Sequence, residues 1–327
     1  MSEENTKTST SKPLTTFGKD TLYGLSQHPK ILSSKYFYDQ EGDKLFQQIM
    51  NMPEYYLTNC EYEILSQQRK EICDAIGAFD APLNIIEFGA GDGYKTKLLL
   101  KFLLENDAKF TYYPVDISNH ILTELKENLY HEMPAMDVKP LNLEYFEALT
   151  TLSKIKDRRN VVLFLGANIG NFRYKKAENF IGRVRSSLNV GDMLLMGIDL
   201  RKNPNIIRLA YDDPHGITAS FNLNLLKRMN RELGADFNLD GFSHYAFYEP
   251  VDGEMQSYLV SNTDQVVYFS ALEWHAEFKQ NEFIHTEVSK KYGVNELEMM
   301  AESQKFKVVQ HFFDNKNYFV DTLWKLK

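Results

Sequence analysis

Leu83-Asn84-Ile85-Ile86-Glu87-Phe88-Gly89-Ala90-Gly91-Asp92-Gly93 is an apolar run that ends in three alternating glycines, and Tyr94 to Leu104 follows with apolar residues at helical spacing. The order is strand, loop, helix. Glycines let a backbone turn tightly beneath a ligand and approach it without side-chain interference, so the loop reads as a cofactor cradle. Glycine-rich turns also follow strands where nothing binds, so the reading needs support from elsewhere in the chain.

The same rhythm continues outward from this stretch. Phe110 to Asp116 reads as a second strand and Asn119 to Tyr130 as a helix capped by Ser118. Asn160 to Gly166 is so apolar that both its faces must be covered, as in a parallel sheet with helices on each side. A helix over Lys175 to Leu188 and a strand over Asp192 to Asp199 complete another unit. Repeated β-α-β units imply an α/β, Rossmann-like, doubly wound open sheet whose ligands lie at the carboxyl ends of the strands. Beyond Asp199 the pattern changes to helical stretches over Pro204 to Tyr211 and Thr218 to Leu233, then to β-type segments from Phe242 through Val288. This reads as an insertion. Asn295 to Lys305 as helix, with Lys307 to Phe313 and Tyr318 to Lys325 as a hairpin turning at Asp314 to Asn317, would return the chain to the sheet.

Composition fits a folded chain. At 327 residues it is long enough for two domains, or one large domain with an insertion. Hydrophobic residues make up 43% and aromatic residues 13%, which excludes a largely disordered protein. A net charge of 37 − 45 = −8 argues against nucleic acid as partner, since that partnership needs clustered cations, and favours a small-molecule substrate. Cys60 and Cys73 form no C-x-x-C pair, and the eight histidines, His244 and His275 among them, show no metal-ligand spacing. No metal is expected. Met1 to Lys12 is polar and lacks an apolar core, so it reads as a disordered tail rather than a secretory signal. No run approaches the roughly 18 apolar residues a membrane span needs, and a cytoplasmic monomer is expected.

Several polar residues fall where a ligand would lie. Asp116, at the end of the second strand, can accept both hydroxyl protons of a ribose, or can cap the following helix. The spacing G-x-G-x-G departs from the dinucleotide pattern G-x-G-x-x-G, which disfavours a pyrophosphate and suits a nucleoside with a cationic sulfonium tail. Lys95 reads equally as a contact to a cofactor carboxylate and as a solvated lysine, and Asp92 reads as a turn residue. Asn171, beyond the most apolar strand, offers a donor and an acceptor for an amino-acid carboxylate or amine, or caps a helix. In Thr286-Glu287-Val288-Ser289-Lys290, strand geometry points Glu287 and Ser289 to one face. That pair could hold both nitrogens of an imidazole; by itself it reads more simply as solvent-exposed.

Together these segments resemble one family, the histidine Nα-methyltransferases of the ergothioneine pathway. The likeness is carried by Ser34 to Asp39, Pro53 to Thr58, Phe164 to Asn171, Asp199-Leu200, Ala210 to Asp213, Gly216 to Ala219, Asn230 to Leu233 and Thr286 to Lys290, in that order, and covers nearly the whole chain after about residue 20. The resemblance implies a class I methyltransferase domain over 66–200 and 292–327. It also implies an α+β substrate domain over 16–65 and 201–291, behind a tail over 1–15. It implies S-adenosylmethionine as cofactor, faced by Gly89, Gly91, Lys95, Asp116, Glu144 and Tyr145. It places Tyr55, Gly166, Asn171, Tyr211, Glu287 and Ser289 against the amino acid and makes Tyr38 the candidate to orient the amine.

Three departures stand out. Glu144-Tyr145 replaces the family's Asp-Phe, Gly166-Ala167-Asn168 replaces its Gly-Ser-Thr, and Ser257 stands where a methionine commonly lines the substrate pocket. The activity expected is methylation of the α-amine of L-histidine, to the trimethylated betaine. The alternatives are another amino acid, such as a tryptophan derivative, or a binder of the cofactor without turnover.

Overall fold

Alternating burial along each segment decides which strands sit inside. Leu83–Phe88 is buried at every position, as is Met193–Asp199, and Arg159–Phe164 at all but its first. Such strands must pair on both edges and be covered on both faces. The computed structural model describes residues 14–152, 154 and 158–327, so most of the expected tail over 1–15 lies outside the described residues.

The chain divides into two compact units. One combines Met50–Ala210, Tyr248–Met255 and Val288–Lys327; the other combines the chain up to Ile49 with Tyr211–Phe247 and Gln256–Glu287. The expected segment ending at residue 65 thus ends at 49, because Tyr56–Gln67 is a helix whose Leu57, Cys60, Glu61, Ile64 and Leu65 are buried within the sheet-bearing unit. The divisions fall inside strands Phe242–Glu249, Glu254–Ser261 and Phe283–Lys290, which a sequence pattern cannot mark.

In the sheet-bearing unit, strands lie in the order Phe306–Phe313, Phe319–Leu326, Met193–Asp199, Arg159–Phe164, Leu83–Phe88, Phe110–Asp116 and Asp137–Val138, with Leu141–Asn142 also on Phe110–Asp116. Phe319–Leu326 runs antiparallel to both neighbours, and the pairings among the central strands are parallel. The expected final hairpin is present, with the Asp314 carboxylate accepting N–H groups from Lys316, Tyr318 and Phe319 at its turn. Strand order reverses between Leu83–Phe88 and Arg159–Phe164. Ligands of open α/β sheets bind beyond the carboxyl ends of strands at such a reversal. One face of the sheet packs Val162, Phe164, Leu194, Met196 and Trp324 against Ala177, Phe180 and Ile181 of helix Tyr174–Ser186 and Leu297 and Met300 of helix Val294–Ser303. Cys60 and Cys73 are buried thiols, and burial pushes each up to about 12.

The other unit carries a four-stranded sheet in the order Lys30–Ile31, Phe283–Lys290, Glu254–Ser261, Phe242–Glu249, and a hairpin of Gln265–Phe269 with Trp274–Phe278. Burial in the hairpin alternates, sending Val267, Phe269, Ala276 and Phe278 inward against Phe237 and Phe242. Helix Ile217–Leu233 is held to the N-terminal segment through Asp39, whose carboxylate takes Asn224 at 2.8 Å and Arg231 at 2.5 Å. No helix among the described residues is long and apolar enough to cross a membrane.

Candidate active site

The glycine loop is fixed from below. Glu87, the penultimate residue of its strand, is buried and accepts hydroxyl protons from Thr96 at 2.5 Å and from Tyr112. Burial pushes its carboxyl up to about 7 against those two hydroxyls. The loop's first amides, Gly89 and Ala90, both donate to the Val115 carbonyl, at 2.8 and 3.3 Å. Gly89 and Gly91 stand at φ of 67° and 54°, in the left-handed region where a side chain is strained. A methyl at Gly89 would come within 2.9 Å of the Tyr145 hydroxyl, whereas no protein atom lies within 4 Å of one at Gly91.

Asp116 reaches the same loop. Its Oδ2 accepts from the Gly91 amide at 3.4 Å and its Oδ1 from Ser118 at 2.9 Å, while Ser118 itself caps the helix Asn119–Glu132. The carboxylate is half-buried, with lone pairs to spare for hydroxyl donors. Tyr145 stacks on Phe88 with ring centroids 5.3 Å apart, and burial together with the Asp116 charge pushes its phenol up to about 12. An acceptor at the second strand's end, an aromatic face and an open glycine turn fit the ribose and base of a nucleoside. Glu144 is exposed, and its backbone carbonyl takes the Glu147 and Ala148 amides at the start of helix Tyr145–Leu152. Asp92 is exposed and holds the Tyr94 amide at 3.0 Å, the turn role its sequence suggests.

Lys95 and Gly166 converge on one residue that the motifs did not single out. The Glu61 carboxylate is fully buried, pairs with the Lys95 ammonium and accepts the Gly166 amide at 2.7 and 3.0 Å. Its signal was an acidic residue within the apolar stripe Leu57, Cys60, Ile64, Leu65 of an amphipathic helix. Asn168 donates to the Leu165 carbonyl at 2.7 Å, and its amide nitrogen lies 3.6 and 3.5 Å from where methyls on Gly89 and Gly166 would stand. The residue that departs from the family pattern therefore sits beside both loops of the strand-order reversal.

Asn171 is exposed at the end of a single 3-10 turn, Asn168–Asn171, entered through Ala167 at φ 57°. Gly170 of that turn approaches the backbone of Lys290, and a methyl there would lie 2.9 Å from the Lys290 carbonyl and 3.5 Å from the Ser289 hydroxyl. Ser289 is buried and accepts from Lys291 at 2.9 Å, and Lys291 pairs with Asp199 at 2.7 Å. Asp199 also accepts from the Tyr56 hydroxyl at 2.9 Å and pairs with Lys202; these two lysines hold its carboxyl below the ordinary range against complete burial. Tyr55 is half-buried and precedes helix Tyr56–Gln67.

In the other unit, Tyr211 is buried and its carbonyl is bound by His244 Nε2 at 2.9 Å, while His244 Nδ1 faces the Asn222 amide at 2.9 Å. Nε2 donates to that carbonyl and Nδ1 accepts from the Asn222 amide, the neutral tautomer that burial, which pushes the His244 pKa down, also favours. Glu287 is half-buried and accepts from the Ser257 hydroxyl at 3.1 Å. The simpler reading of Glu287 and Ser289 as a solvent-exposed pair is corrected: Glu287 is half-buried and takes the Ser257 hydroxyl, and Ser289 is buried and takes the Lys291 ammonium. Tyr38 is 44% exposed and packs edge-on against Phe46 and Phe221 at 5.4 and 5.7 Å.

A family model described as histidine-specific methyltransferase, SAM-dependent, matches residues 17–326. The chain belongs to that family. It is 35% identical over 274 residues to the histidine N-alpha-methyltransferase of Mycolicibacterium smegmatis, covering 84% of both chains. With the enzyme of the same name from Mycobacterium tuberculosis it shares 34% identity over 84% of each chain. It is 30% identical to ergothioneine biosynthesis protein 1 of Schizosaccharomyces pombe, over 86% of this chain and 37% of that one. The protein is a class I methyltransferase by its sheet and its family, and its cofactor is S-adenosylmethionine.

Proposed function

We propose that this enzyme methylates the α-amine of L-histidine, in three rounds to the trimethylated betaine, as the first step towards ergothioneine. The observation that carries the reading is the family match along the whole length from 17 to 326, with relatives named for histidine. When bound, S-adenosylmethionine supplies an electrophilic methyl group on its sulfonium. Gly89, Gly91, Asp116 and Tyr145 would hold its nucleoside, with Glu144 beside them, and Lys95 its carboxylate. Tyr38 orients the amine, Tyr211 and Asn171 bind the amino-acid carboxylate, and Tyr55 and Gly166 complete the substrate contacts.

Glu287 and Ser289 read the imidazole. A competitor without imidazole N–H groups forgoes a charge-assisted hydrogen bond to the Glu287 carboxylate, at a cost of about 1.5–3 kcal/mol. Positioning supplies most of the acceleration, up to about 7–11 kcal/mol, since the amine needs no covalent help to attack. Deprotonation of the amine is favoured by a partly desolvated, tyrosine-lined setting. The substrate domain in this reading is the unit containing Tyr38, Tyr211 and Glu287, and the enzyme acts as a cytoplasmic monomer. Mass spectrometry after incubation with histidine and isotope-labelled S-adenosylmethionine tests it. Labelled trimethylhistidine is the expected product; product only with another amino acid, or none with any, overturns it.

A further inference from the structure

Glu61 sits where a side chain of Gly197 would otherwise stand, so its carboxylate presses against the middle of strand Met193–Asp199. Directly opposite Gly197 on the neighbouring strand is Asp321. Residues opposite one another in an antiparallel pair point to the same face, about 4.5–5.5 Å apart at Cβ, which puts the Asp321 carboxyl beside that of Glu61. Both side chains are fully buried. Glu61 has a cation and an amide as partners, while neither oxygen of Asp321 has a hydrogen-bond partner among the described residues. One lysine cannot neutralise two buried carboxylates.

We propose that Glu61 is the positioning residue for Lys95 and the Gly166 amide, and that it acts as the single anion of a buried acid pair whose other member, Asp321, carries a proton. The inference rests on the assignment of Lys95 and Gly166 to the methyl-transfer site. Burial pushes Asp321 well above the ordinary carboxyl range, and the charge of Glu61 adds to the shift while Lys95 opposes it. Strand Phe319–Leu326 is buried at every position but Lys325, so Asp321 sits away from solvent. Both groups that Glu61 holds are donors, an ammonium on Oε2 and a backbone N–H bridging both oxygens. Only a carboxylate can accept from both; an amide in its place sets an N–H against an N–H. Glu61 thereby ties the first turn after the glycine loop to the loop after Arg159–Phe164, across the strand-order reversal. A neutral Asp321 leaves that arrangement with one negative and one positive charge, so Lys95 keeps its remaining N–H donors for a carboxylate ligand.

The test uses the full chain. Calorimetric titration with S-adenosylhomocysteine is run on wild type, Glu61→Gln, Lys95→Met and the double variant, with thermal melting to confirm folding and kinetics to separate KM from kcat. Glu61→Gln is expected to bind about tenfold more weakly, since charge-assisted hydrogen bonds are lost. It should raise KM for S-adenosylmethionine more than it lowers kcat. The double variant should bind no more weakly than the worse single one; losses that multiply, or unchanged binding in Glu61→Gln, overturn the positioning role. Infrared difference spectroscopy of wild type against Asp321→Asn should show the carbonyl band of a protonated carboxylic acid, lost in the variant, with affinity within about twofold of wild type. An absent band, or a large loss of affinity in Asp321→Asn, overturns the neutral acid. Wild type that binds no S-adenosylhomocysteine sinks the cofactor assignment and the positioning role with it, while the infrared band still decides the acid pair.

Discussion

The hydroxyl of Ser257 donates to the carboxylate of Glu287 at 3.1 Å. Ser257 is buried, so this contact is shielded from solvent, and it links the one position where the family's methionine is missing to the residue assigned to read the imidazole. In the sequence Ser257 is a departure from the family pattern. In the fold its hydroxyl helps fix the position of the Glu287 carboxylate.

Ser257→Ala should accordingly loosen the reading of the imidazole. Loss of one neutral donor to a carboxylate removes about 1–1.5 kcal/mol. The expected result is a rise of about fivefold to tenfold in KM for histidine with kcat nearly unchanged, measured by steady-state kinetics at saturating S-adenosylmethionine. Equal loss in kcat and kcat/KM would place Ser257 outside substrate recognition.

Asp116 joins the Gly91 and Ser118 amides and is the acceptor assigned to the ribose. Asp116→Asn keeps the size of the side chain but turns one acceptor oxygen into a donor. Affinity for S-adenosylhomocysteine should fall about tenfold or more by calorimetry, with the melting temperature little changed. Retained affinity would leave Asp116 as a turn residue alone.

Gly89 and Gly91 should separate folding from binding. Both pay the left-handed backbone cost of about 1–2 kcal/mol on substitution by alanine. Of these two, the new methyl crowds a neighbour at Gly89, the Tyr145 hydroxyl at 2.9 Å, and none at Gly91. Gly91→Ala should melt at a higher temperature than Gly89→Ala yet still lose binding of S-adenosylhomocysteine; wild-type affinity in Gly91→Ala would remove Gly91 from the cradle.

Glu87 gives a pH signature of stability. Its folded carboxyl, pushed by burial from 4.5 up to about 7, keeps a proton that the unfolded chain releases. The stabilisation is therefore complete below about pH 4.5 and falls as pH rises to about 7, by on the order of 3 kcal/mol. Asp321 shifts in the same direction, so the variant Glu87→Gln is compared with wild type at each pH. Urea denaturation should show wild type losing stability relative to Glu87→Gln between about pH 4.5 and 7; a constant difference would show that Glu87 titrates normally.

The sequence by itself determined the strand, the glycine loop, the helix and the alternation that builds the parallel sheet, because these follow from local periodicity and from the backbone demands of glycine. It also placed Asp116 and the Glu287/Ser289 strand, since a residue's place at a strand end or on one face is a local property. Only the tertiary structure decided what those residues touch. The partnership of Glu61 with Lys95 and Gly166, the position of Asp321 across from Gly197, and the bond from Ser257 to Glu287 join residues from 30 to 124 positions apart. Strand register and burial set those contacts. Burial also shifts protonation, raising the Asp321 carboxyl and lowering the His244 ring, since the cost of a charge depends on surroundings that no local pattern encodes.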